Sequence, residues 1–268
     1  MNAIPQLQEW LRRGPATFPP RWASAWGDDR YGLWADLDVT GVVQRLRWIE
    51  PGSFLMGDEE KPETQLPASI VTGFWLADTA CTQALWLAVM GGNPSYFTED
   101  NTAELRSPQH PVEQVSWNDI ALPPNGFLVR LQRFTAGALP ELPGDAEWEY
   151  ACRAGTRTAY SFGDEITAEQ VNYGGSRKKL MTVAVKSLPA NPWGLHEMHG
   201  NVWEWCANPY TDDGASPATG PPGEAVAERA LRGGSWSYAA GLARSAGLGA
   251  FWPDRAIRDF GFRFALRS

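Results

Sequence analysis

Residues 192–206 read PWGLHEMHGNVWEWC, and the reading of this stretch decides the fold. Trp193, Trp203 and Trp205 are spread around Gly194 and Gly200 without an apolar period of 3.6, so this is not an amphipathic helix. A turn at Gly200 lets Trp203 and Trp205 enter different surroundings, and both are expected to be core anchors. His196-Glu197-Met198-His199 sets its histidines at i and i+3 before a glycine. A zinc-protease helix needs them at i and i+4, so zinc is not expected. Downstream, Arg232-Gly233-Gly234 within RALRGGSW (229–236) permits close backbone approach beneath Trp236.

The whole chain shares this loop-rich character. Its 268 residues include 27 Gly and 21 Pro, about 18% against an average near 12%. Fourteen Trp, with 11 Phe and 7 Tyr, supply the buried area that few regular elements would leave short. The length suits one large domain, or one and a half. The net charge is −8 and no run of Lys or Arg exceeds three residues, so neither nucleic acid nor an anionic membrane is an expected partner. No apolar stretch approaches the roughly 20 residues of a membrane span. The opening MNAIPQLQEWLRRGP lacks the apolar core of a secretory signal, which leads us to expect a cytoplasmic protein. Cys81, Cys152 and Cys206 are odd in number and far apart, the pattern of buried free thiols rather than a disulfide scaffold.

Local signals place several elements. Leu7, Trp10 and Leu11 predict a short helix over 5–13, ended by Gly14-Pro15. Alternation through Val42, Gln44, Leu46 and Trp48, with a turn at Pro51-Gly52, predicts two or three strands in 31–57. A helix is expected over 80–90, capped by Asp78 or Thr79 and stopped by Gly91-Gly92. A second spans Ser116 to Phe134 with an interruption at Pro123-Pro124, and a third runs from Asp145 to Gly155. Gly247-Leu248-Gly249 is not a dinucleotide loop, because Trp252 stands where its third glycine belongs.

Seven segments carry a wider resemblance: WIEPGSFLMG (48–57), GFWLADTACTQALWLAVMGGNPS (73–95), HPVEQVSWNDI (110–120), LPGDAEWEYACRAG (142–155), the opening stretch, RALRGGSW, and GFRFA (261–265). Together they resemble the formylglycine-generating-enzyme (sulfatase-modifying factor) family from about residue 47 to the end. The resemblance implies an α+β, C-type-lectin-like fold with a small twisted antiparallel sheet, few helices and long ordered loops. It places one domain at 47–268, with 1–46 as a helix and extended lead packed on it. It also implies a structural calcium site whose oxygens fall on Glu197, Gly200, Val202 and Glu204, an all-oxygen shell suited to a hard cation. The competing role for Glu204 is an ion pair with an arginine. Glu197 stands where the family usually has Asp or Asn. A second family calcium site, near Asn172 and Tyr173, meets Arg177-Lys178-Lys179 and is expected to be lost.

The resemblance also bears on activity. Oxidase members bind copper(I) through a cysteine pair ahead of the terminal GFR, and copper(I) needs soft thiolates. Counting back from Gly261-Phe262-Arg263, those positions hold Ala240 and Ser245, so copper is not expected. The sulfoxide synthases of the family place iron on histidines of an added N-terminal domain, and here no His precedes His110. A non-catalytic role is therefore expected, with an enzyme of altered chemistry and a scaffold or sensor subunit as alternatives.

Residues 237–260 (SYAAGLARSAGLGAFWPDRAIRDF) contain no Lys, Glu, Gln or Met and show no regular period. The stretch resembles the variable region, here about 235–263, of diversity-generating-retroelement variable proteins. Adenine mutagenesis of their Asn codons gives Ser, Tyr, Ala, Gly, Leu, Phe, Ile, Asp or Arg but none of the four missing types. Trp252 lies outside that set. The implied ligand-binding positions begin with Ser237, Tyr238, Ala239, Gly241 and Leu242. They continue through Gly247, Gly249, Phe251 and Trp252 to Ala256, Ile257, Asp259 and Phe260. The expected ligand is another protein, bound at an apolar patch of Phe251, Trp252, Ile257 and Phe260. The competing reading is an ordinary closing loop of the fold.

Overall fold

In the computed structural model, residues 13–102, 107–176, 180–210 and 227–267 are described. Three strands open this part of the chain: β1 (Ala23–Asp29), β2 (Gly32–Val39) and β3 (Val42–Ile49). They form an antiparallel meander with Gly27 opposite Trp34 and Asp36 opposite Arg45. A hairpin follows, β4 (Gly52–Met56) with β5 (Leu66–Ile70), then β6 (Phe74–Ala77). Three helices come next, α1 (Gln83–Met90), α2 (Trp117–Ala121) and α3 (Phe127–Leu131). After β7 (Leu139–Glu141) and α4 (Asp145–Arg153), the chain is irregular as far as β8 (Trp203–Pro209). It ends with β9 (Arg229–Arg232), β10 (Leu248–Phe251), β11 (Phe260–Gly261) and β12 (Ala265–Arg267).

Among the described residues the strands make an antiparallel sheet in the order β1-β2-β3-β6-β12-β7 and a second sheet in the order β10-β9-β8-β11, besides the β4–β5 hairpin. The mixture with four helices is an α+β fold. Only the pairing of β11 with β8 is parallel. A domain boundary at 46/47 would cut β3. Residues 23–46 are not a lead resting on the domain but two strands of its main sheet and part of a third, and Trp22, Ala35, Leu37 and Val39 join its core. The helix expected over 5–13 falls, apart from Arg13, outside the described residues.

Helix ends follow side-chain chemistry. The first begins at Gln83 rather than 80, because Thr82 supplies the cap, its hydroxyl accepting from the Leu85 amide at 3.2 Å. Asp78 is engaged elsewhere, accepting from Gln44 at 3.1 Å and pairing with Lys186 at 2.8 Å. Ser116 and Asp119 form a reciprocal capping box on α2, and that helix stops before Pro123-Pro124, so 116–134 is two helices. Gly144 and Glu147 open α4, where the Glu147 carboxylate accepts from the Gly144 amide at 2.7 Å.

The main core joins the sheets and helices through aromatic pairs. Trp86 stacks on Phe127 at 5.2 Å, and Phe127 meets Phe262 edge-on at 5.2 Å. Trp203 and Trp205 enter this same core, not different surroundings, since residues i and i+2 of a strand share a face. β8 thus lies fixed between β9 and β11, and everything between residues 233 and 259 leaves from and returns to this sheet.

Candidate functional site

The segment after β9 turns outward at Gly233 and Gly234, with φ of 92° and 69°. A Cβ on Gly233 would sit 3.1 Å from both the Met198 carbonyl and the Trp148 ring, so glycine is required there. From this point the segment is tied down mainly through its own main chain. The Tyr238 carbonyl accepts from the Gly174 amide at 2.7 Å, and the Ala240 carbonyl from the Tyr160 hydroxyl at 2.8 Å. His199 donates from Nδ1 to the Ala243 carbonyl at 2.7 Å, while its Nε2 accepts from the Ser161 amide at 3.0 Å. Burial pulls the His199 pKa down to about 4, which keeps it in the neutral form that this bond requires. The Ser245 amide donates to Ala159, and the Pro253 and Ile257 carbonyls accept from Asn118 and Gln114 at 3.0 and 3.1 Å. β10 adds a ladder to β9.

Two side chains, Asp259 and Arg244, serve as further fixed points. The Asp259 carboxylate accepts from the hydroxyls of Ser235 and Ser237, each at 2.8 Å. Arg244 pairs with Asp58 at 3.3 Å, with Glu60 at 2.6 Å, and with Glu59. From Glu59 alternating charges continue inward through Arg153 at 3.7 Å, Glu149 at 2.8 Å and Arg232 at 3.0 Å to Asp145.

The expected ligand-binding positions divide into three groups. Ser237, Tyr238, Ala239, Gly241, Leu242, Trp252, Ala256 and Ile257 are exposed. Tyr238 rests edge-on against Trp203 at 5.8 Å. Gly247, Gly249 and Phe251 are half-buried. A Cβ on Gly247 would lie 2.4 Å from the Leu242 carbonyl, so this residue shapes the backbone rather than the surface. The Phe251 ring faces inward, 5.1 Å from Phe260. Asp259 and Phe260 are buried, at 5% and 2% exposure, and do not belong to a ligand surface. Asp259 is spent on Ser235 and Ser237, and Phe260 packs on Trp205 at 5.3 Å. The expected apolar patch therefore loses two of its four rings and side chains, keeping Trp252 and Ile257.

Sequence reading missed a neighbour of this surface. Tyr96 is exposed, the Arg258 guanidinium lies 4.5 Å over its ring, and adjacent Phe97 meets Trp236 edge-on at 5.3 Å. These contacts span 162 and 139 residues of sequence, and no local spacing signals them. Below them Glu113 is wholly buried, accepts from the Phe97 amide at 2.8 Å, and is pushed up to about 7 by burial.

The residues expected to surround calcium do not fit that ion. Arg263, wholly buried, takes both carboxylate oxygens of Glu204 at 2.7 and 2.8 Å, and Trp148 donates to one of them at 2.7 Å. Glu204 is thus an ion-pair residue, the competing role. Glu197 accepts from the Lys186 and Leu188 amides at 3.1 and 3.3 Å, one through each carboxylate oxygen. Arg177-Lys178-Lys179 lie outside the described residues.

Ala240 opens a 3-10 turn and Ser245 is wholly buried. No cysteine follows Cys206 in the chain. The three thiols are free and buried, and burial pushes Cys152 up to about 12 and the other two well above their ordinary value. Thiols held protonated in this way are unreactive. Among the described residues no helix is long and apolar enough to cross a membrane.

Comparison with known proteins gives a consistent result. Residues 38–268 match the model of the sulfatase-modifying factor enzyme 1-like domain. The formylglycine-generating enzyme of Streptomyces coelicolor is 34% identical over 203 residues, which cover 67% of this chain and 60% of that enzyme. The chain thus spans little more than half of that relative's length. The fold is that of Treponema denticola variable protein 1, with a TM-score of 0.73 at 24% identity, covering 88% of this chain and 99% of that one. It is also that of PvdO from Pseudomonas aeruginosa, with a TM-score of 0.68 at 23% identity over 92% and 99% of the two chains.

Proposed function

We propose that this chain, which belongs to the sulfatase-modifying factor enzyme 1-like domain family, is a non-catalytic ligand-binding protein that displays a variable C-terminal surface on a C-type-lectin-like scaffold. One observation carries the reading: the 236–257 segment is anchored mainly by main-chain atoms, while eight of the expected ligand-binding residues in it are exposed. Main-chain hydrogen bonds do not depend on side-chain identity. Residues at 238–239, 241–242, 252 and 256–257 can therefore change without loss of the anchors, which is what a diversified surface requires, while Ser237 is tied to Asp259. The fold of Treponema denticola variable protein 1, a protein named for variability, supports the same reading.

The ligand is a protein, for which Tyr238, Leu242, Trp252 and Ile257 are apolar and aromatic anchors among small residues. Neither copper nor calcium takes part. Three free buried thiols suit a reducing compartment, and we place the protein in the cytoplasm.

The decisive experiment is to read the neighbouring DNA. A reverse transcriptase and a near-copy of the 237–260 coding segment, differing almost only at adenines and chiefly at codons of the exposed residues, is the expected result. If differences instead concentrate at Ser245, Asp259 and Phe260, or no copy exists and a quadruple exchange of the four anchors unfolds the protein, the segment is an ordinary closing loop.

A further inference from the structure

Away from this segment, a cleft of 790 Å³ opens between the β1–β2 turn, the end of β3, the start of β4 and α4. Its aromatic lining comes from separate elements: Tyr31 from the turn, Trp48 from β3, Tyr150 from α4, and Trp193 from the loop before β8. Tyr150 and Trp193 meet edge-on at 4.9 Å, and Trp48 is braced at 5.4 Å against the buried Trp75. Rings held in this way keep their orientation without a ligand.

The charges on the lining are unequal. Asp28 and Glu50 contribute two carboxylates, and Arg13 is the one cation among the described lining residues. Arg13 approaches Glu50 at 3.6 Å with both side chains more than half exposed, a pair of little strength that a better-placed cation displaces. The Tyr31 ring is already taken, since the Arg30 and Arg47 guanidinium groups lie 4.5 and 5.2 Å over it and Arg47 is held by Asp29 at 2.7 Å, which leaves the other three rings for a ligand. An anion meets two carboxylates here, and a neutral ligand gains only apolar contact. A cation with an apolar body gains both the ring faces and the carboxylates.

We propose that this cleft binds an organic cation: an alkylated ammonium or a guanidinium group on an aliphatic stem. Its charge lies toward Glu50 and Asp28, and its methyl or methylene groups lie against Trp48, Tyr150 and Trp193. The volume falls within the roughly 300–1,000 Å³ of small-molecule sites. None of the eight exposed ligand-binding positions of the C-terminal segment lines the cleft, so this proposal stands or falls apart from the one above.

The test titrates the full chain with choline, with its uncharged carbon isostere dimethylbutanol, and with a short peptide carrying trimethylated lysine, following the indole N–H resonances of Trp48 and Trp193. Choline or the peptide should bind at least about tenfold more tightly than the isostere. Glu50→Gln should weaken cation binding several-fold with an unchanged melting temperature, and Trp193→Leu should abolish it. Tighter binding of the peptide identifies a protein side chain as the source of the cation, and tighter binding of choline a free small molecule. Equal binding of choline and the isostere, or no response of either indole to any cation at millimolar concentration, overturns the proposal. Both readings remain available if Trp193→Leu fails to fold.

Discussion

Residues 191–202 and 236–257 are both irregular, rich in glycine or aromatics, and packed around the β8 sheet, yet they are held differently. In the first stretch buried side chains add to main-chain bonds such as those from His196 to Asp78 and from Gly200 to Gly233. Asn191 alone makes four hydrogen bonds, donating to Ala151 and Cys152 at 2.8 and 3.2 Å and accepting from the Trp193 and Leu195 amides at 3.0 and 3.1 Å. The Asn201 side chain accepts from the Val183 amide at 2.9 Å, and Glu197 accepts from two further amides. In the second stretch the main chain does most of the holding, and Tyr238, Leu242, Trp252 and Ile257 stand outside. An irregular backbone specified by its side chains tolerates little substitution there. One specified by its carbonyls and amides leaves its side chains open to change.

This contrast is tested most severely at the Arg263–Glu204 pair beneath the first stretch. Arg263→Met should leave a buried carboxylate uncompensated and lower stability by about 3–5 kcal/mol in urea unfolding. A loss under 1 kcal/mol would mean that Glu204 finds another partner, and calcium would then return as the candidate. Next in size, Asn191→Ala orphans four main-chain groups, three of them in buried bonds, and should lower stability by about 2–3 kcal/mol, read as a shift in the unfolding midpoint without a change in slope.

A third effect depends on pH. Glu113 and Glu197 have folded-state pKa values raised to about 7 from an ordinary 4.5, so the stability they contribute is full below 4.5 and is lost as pH rises through 7. His110 and His199 are pulled down to about 4 from 6.5, so their contribution is present above 6.5 and is lost as pH falls toward 4. The two sets offset each other between these limits. Glu113→Gln should therefore shrink the loss between pH 5 and 8 by on the order of 1 kcal/mol, and an unchanged profile would show that Glu113 is already charged near pH 5. The smallest effects belong to the second stretch. Tyr238→Ala, Leu242→Ser, Trp252→Ala and Ile257→Ser should each change stability by less than about 0.5 kcal/mol in thermal melts. A loss above 2 kcal/mol at any of them would mark that residue as part of the packing.

Much of the fold was legible because its signals are local. The Gly91 stop, the Ser116–Asp119 box and the alternation in β3 each act within a few residues. β1 escaped because ASAWGDD is an edge strand with mostly exposed side chains, so burial leaves no pattern in it. The site was legible as a segment but not residue by residue. Asp259 and Phe260 follow the exposed 254–258 turn directly and differ from it only in what lies behind them. The partner of Glu204 lies 59 residues away, and the spacing of carboxylates alone cannot tell an arginine from a cation.

The chain of charges from Arg244 to Asp145 gives the segment a fixed point in descent as well as in space. A lineage that rewrites 237–257 while keeping Arg244 moves among folded proteins. One that loses it leaves Asp58, Glu59 and Glu60 facing one another at the rim and strips the inner Arg153–Glu149–Arg232 sequence of its outer cation. Arginine at 244 should therefore stay constant among sister copies of this protein while its neighbours drift, an inherited landmark inside a stretch that otherwise keeps little memory of its ancestors.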